Sequence, residues 1–125
     1  MIVAGLLAGC ATTGPAAARL PADGRYTAGQ ELVASDYPAY FTALHAGRVV
    51  DASDAVADPR TREFGEGYLR EQNIASMLDA TVRVDGKVVG VVCHEHRGRP
   101  RAWTADEISF AGNVADLTAH ALLAR

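Results

Sequence analysis

Polar and apolar side chains share one face of a predicted β-hairpin, and their types could bind a small molecule. They are Asp79, Thr81, Val92 and His94. Gly90 lies among them and has no side chain, so a ligand or the covering helix could approach closely there. A carboxylate, a hydroxyl and an imidazole on an apolar floor are typical of a ligand site. Aromatic residues earlier in the chain would form the walls of this site: Tyr40, Phe64 and Tyr68.

Each candidate has a structural alternative. The three aromatic residues could be ordinary core residues, and Asp79 could cap a backbone amide, since a buried carboxylate needs a hydrogen-bond partner. His94 and His96 lie two residues apart and could ligate a metal ion. The sequence places no third ligand beside them, so we expect no metal site. Cys93 is expected on the opposite face as a small buried residue.

A hairpin must position the candidate residues. Residues 77–84 and 87–94 are rich in β-branched side chains and are separated by Asp85-Gly86, which is typical of a two-residue type I′ turn. Alternate side chains of a strand lie on one face, so this loop fixes which residues face each other. The predicted pairs on the nearly apolar face are Val84 with Lys87, Val82 with Val89, Ala80 with Val91, and Leu78 with Cys93.

A long helix should cover the apolar face of the hairpin. Residues 104–107 (TADE) form a capping box, in which the Thr104 hydroxyl and the Glu107 carboxylate each accept a hydrogen bond from the other residue's backbone amide. From Ile108 to Leu122 apolar residues recur at helical spacing. The apolar arc is wider than one sheet contact needs. We therefore expect a homodimer that pairs this C-terminal helix.

The segment over residues 32–76 should cover the mixed face. Ser35 or Asp36 could cap a helix that has Pro38 in its first turn and ends at Gly47. A short strand at 48–50, an acidic loop over 51–59 and a further helix from about residue 58 are expected next. Helices on both faces of an antiparallel sheet indicate an α+β domain.

The length and the net charge of the chain limit the number of domains and the classes of function that it can have. The chain has 125 residues and a formal net charge of −3, so one domain is expected and nucleic-acid binding is not indicated.

Residues 1–28 allow two interpretations. Residues 2–7 could be a buried strand, or residues 7–10 (LAGC) could be a lipoprotein processing site that anchors the chain to a membrane through Cys10. We expect a cytoplasmic protein, with the lipoprotein as the alternative, because no basic residue precedes Cys10.

Residues 29–125 resemble a GAF domain, most closely the bacterial subgroup found upstream of histidine kinases and diguanylate cyclases. The similarity is carried by residues 36–44 (DYPAYFTAL), 58–61 (DPRT), 68–69 (YL), 74–80 (IASMLDA), 90–96 (GVVCHEH), 101–103 (RAW), 106–107 (DE) and 110–111 (FA). The resemblance implies a GAF-like antiparallel sheet of five or six strands, with helices on both faces and a small-molecule pocket under residues 32–76. The family's N-terminal helix and first strand are not recognisable, so the domain is expected to be truncated.

The resemblance implies a non-catalytic sensory domain that binds a small molecule and passes the signal to a partner or output domain. The expected output, a histidine kinase or diguanylate cyclase, is absent from this chain. The signatures for cyclic nucleotides and bilins are not recognisable, so the ligand and any cofactor are unknown. Two alternatives remain: a degenerate GAF domain that only dimerises, and a thiol-based enzyme like the branch of the fold that reduces free methionine sulfoxide. The enzyme is disfavoured because Cys93 has no resolving cysteine near it in sequence.

Overall fold

The computed structural model describes residues 2–8 and 34–124 of the chain. Its four strands form one antiparallel sheet in the order β1-β4-β3-β2. They are β1 (Ile2–Ala8), β2 (Val49–Ala52), β3 (Ile74–Val84) and β4 (Lys87–Arg97). The helices are α1 (Pro38–Ala46) and α2 (Ala105–Leu123), with 3-10 turns at Ala34–Asp36 and Arg62–Phe64 and a π-helical turn at Gly65–Leu69. The α+β class is confirmed, with four strands in the described part against the five or six expected.

The hairpin turn forms as predicted, but the register beyond it does not. Asp85 and Gly86 have φ angles of 52° and 76°, which is the left-handed backbone that a type I′ turn requires. Val84 pairs with Lys87, and the register then shifts at a β-bulge so that Val82 pairs with Gly90. One extra residue in β4 turns every following side chain of that strand to the other face. The predicted pairs beyond the turn are therefore wrong.

Two hydrophobic layers lie on the two sides of the sheet. On one side α2 packs against the sheet through residues that are buried or nearly so: Leu78, Ala80, Val82, Val92, Trp103, Ala111, Ala115 and Ala119. On the other side α1 and the turns over Arg62–Phe64 and Gly65–Leu69 contribute to a second cluster: Tyr40, Leu44, Val50, Ala52, Ala55, Phe64, Leu69, Ile74, Met77, Val91 and Cys93. The second layer is the side of the sheet on which the buried carboxyl groups of Asp79 and Glu95 lie.

The two helices begin by different means. In α2 both capping-box hydrogen bonds are present, from the Glu107 amide to the Thr104 hydroxyl and from the Thr104 amide to the Glu107 carboxylate, which confirms the prediction. In α1 the N-cap is Tyr37, whose side chain makes no capping bond. The Glu63 carboxylate instead accepts hydrogen bonds from the first-turn amides of Ala39 and Tyr40. The predicted cap by Ser35 or Asp36 is wrong because a distant carboxylate takes that role.

The strand expected at residues 2–7 is present as β1, which pairs along its length with β4. The proposed processing site at Cys10 lies outside the described residues. Within the described ranges, neither helix combines the length and the hydropathy needed to cross a bilayer.

Candidate functional site

A carboxyl group lies at the centre of the polar layer beneath α1. Asp79 is in the middle of β3 and is 0% exposed. The Tyr40 hydroxyl, which projects from α1, donates a short hydrogen bond to its Oδ2 atom. The Oδ1 atom is buried and has no hydrogen-bond partner among the described residues. Nearly all buried polar atoms in proteins are paired, so this oxygen is an exception in the described part of the chain.

A second carboxyl group lies on the neighbouring strand. Glu95 of β4 is 4% exposed and accepts a short hydrogen bond from the Tyr68 hydroxyl of the π-helical turn. Cys93, two residues earlier on β4, is the cross-strand partner of Asp79. Two carboxyl groups and two phenol hydroxyls thus meet on one face of the sheet.

Burial changes the acidity of these groups. It raises the pKa of Asp79 to about 7, and the nearby Glu95 carboxylate adds to this rise. Hydrogen bonds from Tyr40 and, more weakly, from the Cys93 side chain and the His94 backbone oppose it. The Cys93 thiol has a pKa well above its usual value because it is buried and lies near Asp79 and Glu95. The pKa of Tyr40 is raised in the same way. Near neutral pH the tyrosine and the thiol are therefore uncharged, and Asp79 is divided between its two forms.

Aromatic rings hold both tyrosines in place. Phe64 is the centre of this group, with its ring centroid 4.4 Å from that of Tyr37 in a stacked arrangement and 4.8 Å from that of Tyr40 in an edge-to-face arrangement. The ring of Tyr68 lies 6.3 Å from Phe64. Such pairs add stability beyond their buried area, and here they join the rings of both tyrosines to Phe64.

Of the predicted site residues, the structure brings together Tyr40, Phe64, Tyr68 and Asp79. Thr81 is also buried in β3, but its hydroxyl already donates to the Arg48 carbonyl oxygen.

The predicted positions of Val92 and His94 are wrong. The β-bulge turns both to the α2 side, where Val92 joins the packed layer and His94 contacts the ring of Phe110. Cys93 was predicted under α2 and is instead beside Tyr40 and Asp79, for the same reason.

Sequence reasoning missed Glu95 because the predicted register placed it on the other face. One signal could have revealed it. Gly90 interrupts a β-branched run, and an isolated glycine in a strand often marks a bulge. A bulge before residue 91 would have put Val91, Cys93 and Glu95 on the face of Asp79.

Two open depressions lie on the surface, and neither is lined by Tyr40, Phe64, Tyr68, Asp79 or Glu95. A cleft of about 500 Å³ lies beside the π-helical turn and is lined by residues of both charges: Asp54, Arg62, Glu66 and Arg70, among others. An apolar groove of about 410 Å³ lies on the α2 side and includes Leu78, His94, Trp103 and Phe110. In the described ranges, no three His, Cys, Asp or Glu side chains are grouped closely enough to hold a metal ion.

Comparisons with known proteins identify the architecture. The family model described as GAF domain matches residues 4–122. The blue-light absorbing form of the PixJ GAF domain of Thermosynechococcus elongatus is 16% identical, with a TM-score of 0.68, and the alignment covers 96% of this chain and 73% of that one. A domain assigned to a two-component sensor histidine kinase of Sinorhizobium meliloti is also 16% identical, with a TM-score of 0.64 and coverage of 98% and 79%.

A third similar structure is an enzyme. The type II free methionine-R-sulfoxide reductase of Thermoplasma acidophilum is 14% identical, with a TM-score of 0.61 and coverage of 95% of this chain and 76% of that one. At these identities the similarity establishes the fold alone. No curated protein matches the chain.

Proposed function

This chain belongs to the GAF domain family, and we propose that it is a non-catalytic sensory domain that binds a small molecule between the sheet and α1. In this proposal the domain passes the signal to a partner or an output domain in bacterial signal transduction. The observation that carries the proposal is the buried Asp79 carboxyl group, whose Oδ1 atom has no hydrogen-bond partner in the described part of the chain. Leaving such an atom unpaired costs about 1–3 kcal/mol, and a ligand that donates a hydrogen bond would recover this energy.

The ligand would enter where the backbone is least regular. Phe64 and Tyr68 stand on consecutive 3-10 and π-helical turns, and π-helical turns are frequent at functional sites. A methyl group added at Gly65 or Gly67 would meet no atom of the described residues within 4 Å, so close packing does not lock the segment there. Movement of these turns would open the face of Asp79.

The signal would pass through β3. Asp79 lies between Leu78 and Ala80, whose side chains pack beneath α2 on the opposite side of the sheet. A ligand that shifts β3 would therefore change the packing of α2. Such a ligand moves the equilibrium only by its difference in affinity for the two arrangements.

A thermal-shift screen of metabolites tests the proposal on three proteins: the wild type, Asp79→Asn, and Asp106→Asn, which removes an exposed carboxyl group from α2. A ligand present at one hundred times its Kd stabilises the folded state by about 2.7 kcal/mol. We expect hits on the wild type and on Asp106→Asn that are lost or reduced with Asp79→Asn. A complete absence of hits, or equal shifts in all three proteins, would refute the proposed site.

A second candidate function is dimerisation through α2. Large apolar side chains of this helix are exposed, with Phe110 at 62%, Leu117 at 68% and Leu123 at 63%. Phe110 and Leu117 are seven residues apart, which is the spacing of a helix-pairing seam. We propose a homodimer through this stripe, and analytical ultracentrifugation tests it. Leu117→Glu should shift the protein toward monomer, whereas Asp116→Asn should not, and a wild type that is monomeric at high concentration would exclude this interface.

A thiol-based enzyme is not favoured. Thiol chemistry requires an accessible thiolate, whereas Cys93 is buried and its pKa is raised well above its usual value.

A further inference from the structure

We infer that the cleft beside the π-helical turn is a second binding site, whose ligand is a small zwitterion with an ammonium group and a carboxylate at opposite ends of an aliphatic chain. The cleft has a volume of about 500 Å³, and three charged side chains of one segment line it: Arg62, Glu66 and Arg70. Neither Asp79 nor Glu95 lines this cleft. The inference therefore goes beyond the proposed function and does not rest on it.

Opposite charges line the cleft without pairing with each other. In a regular α-helix residues four apart are neighbours, so Glu66 would lie beside both Arg62 and Arg70. Here the chain passes from the 3-10 turn at Arg62–Phe64 into the π-helical turn at Gly65–Leu69, and these turns differ from an α-helix in the number of residues per turn. In the described part of the chain none of the three side chains forms an ion pair. Charges of both signs are thus open to a ligand.

A ligand that carries both charges suits this lining better than a simple ion. The two arginines would attract an anion, but Glu66 would repel it, and a simple cation would meet the reverse. Arginine binds a carboxylate through two parallel N–H donors, and a glutamate carboxylate accepts from an ammonium group. Asp54 also lines the cleft, but its Oδ1 atom already accepts a hydrogen bond from the Ala57 amide. The ligand's ammonium group thus binds Glu66, and its carboxylate binds the arginines.

The floor of the cleft is apolar. Leu69, Ile74 and Ala75 line it and are buried, whereas Val56 also lines it and is 58% exposed. An aliphatic chain lying on these side chains would remove apolar surface from water. Four residues of a regular helix span about 6 Å along its axis, so the groups that bind the two ends of the ligand are separated. An ω-amino acid has this separation of charges, whereas an α-amino acid carries both charged groups on one carbon.

A titration of the ¹⁵N-labelled full chain, followed by NMR, tests this site. The probes are 5-aminopentanoate, its isomer norvaline, pentanoate, which lacks the ammonium group, and pentylamine, which lacks the carboxylate. We expect 5-aminopentanoate to shift the amide signals of Gly65 and Gly98, which line the cleft. It should bind about fivefold more tightly than each of the other three compounds, which is the upper range for one exposed charge pair.

Variants identify which side chain binds each end of the ligand. In Glu66→Gln, 5-aminopentanoate and pentanoate should bind equally, because the amide no longer attracts the ammonium group. In the double variant Arg62→Gln/Arg70→Gln, 5-aminopentanoate and pentylamine should bind equally. All three side chains are exposed, so these variants should keep the fold. The controls Glu71→Gln and Arg99→Gln, at exposed positions outside the cleft, should leave the affinity for 5-aminopentanoate unchanged.

Three results would overturn the inference. No binding of 5-aminopentanoate, or equal binding of pentanoate or pentylamine to the wild type, would refute a zwitterionic ligand. Equal binding of norvaline would refute the separation of the two charges. Shifts confined to the signals of Tyr40 and Asp79 would place the compound beneath α1 and refute the second site. The proposed function is tested by its own screen on Asp79→Asn, so each of these results can be told apart from its failure.

Discussion

Replacing Asp79 by asparagine should change how the stability of the domain depends on pH. Asparagine has the same shape and can still accept the hydrogen bond from Tyr40, but it does not titrate. Because burial raises the pKa of Asp79 to about 7 in the folded protein, the folded state holds a proton that the unfolded state has already lost. The contribution of Asp79 to stability is therefore greatest at acidic pH and is lost as the pH rises through 7.

The size of this effect follows from the pKa. A rise from 3.8 to about 7, at about 1.4 kcal/mol per pH unit, corresponds to about 4 kcal/mol. Roughly 3 kcal/mol of this should be lost between pH 5 and pH 8. The new amide group adds a cost of about 1–3 kcal/mol if its N–H atoms find no acceptor, but that cost is the same at every pH. The informative quantity is thus the difference between the two proteins as a function of pH.

Urea unfolding at pH 5, 6, 7 and 8 measures this difference. From pH 5 to pH 8, the free energy of unfolding of Asp79→Asn should rise relative to that of the wild type by roughly 3 kcal/mol. Asp106→Asn serves as the control because its side chain is exposed, and its difference from the wild type should stay nearly constant. A constant difference for Asp79→Asn as well would show that Asp79 is ionised in the folded protein throughout, and the account of its burial would be wrong.

Three further predictions concern single residues. Thr104→Ala removes one hydroxyl acceptor of the capping box and should lower the free energy of unfolding by about 1 kcal/mol; an unchanged urea midpoint would mean that the cap contributes nothing. Arg83 donates hydrogen bonds to carbonyl oxygens at the end of α1, including that of Gly47, so Arg83→Met should lower the free energy of unfolding by about 1 kcal/mol. The control variant Arg99→Met, at an exposed position, should leave the free energy of unfolding almost unchanged. Cys93 should react with a thiol reagent slowly in the native protein and quickly in urea, because it is buried and its pKa is raised; fast native labelling would contradict its position.

Features set by neighbouring residues could be predicted from the sequence. The Asp85-Gly86 turn and the capping box at Thr104 each depend on residues within four positions of one another, and both formed as expected. The strand over residues 2–7 and the helices on both faces were also predicted, because hydrophobic patterns report which faces are covered.

Features set by distant residues could not be predicted. The β-bulge near Gly90 inserts one residue into β4, and this single change reversed the faces of Val92, Cys93 and His94. Glu63 caps α1 from 24 residues away in the chain, although Ser35 and Asp36 are closer. In both cases contacts with residues distant in sequence accompany the arrangement that forms, and the local pattern does not report them.

The central claim is that a small molecule binds at the buried carboxyl group of Asp79. A crystal structure of the domain with the strongest compound from the screens tests it most directly. We predict a donor nitrogen of the ligand at hydrogen-bond distance, about 2.7–3.2 Å, from Asp79 Oδ1, with the Tyr40 hydroxyl still bonded to Oδ2. A ligand found instead in the apolar groove beside Trp103 and Phe110, with Asp79 Oδ1 still unpaired, would contradict the claim.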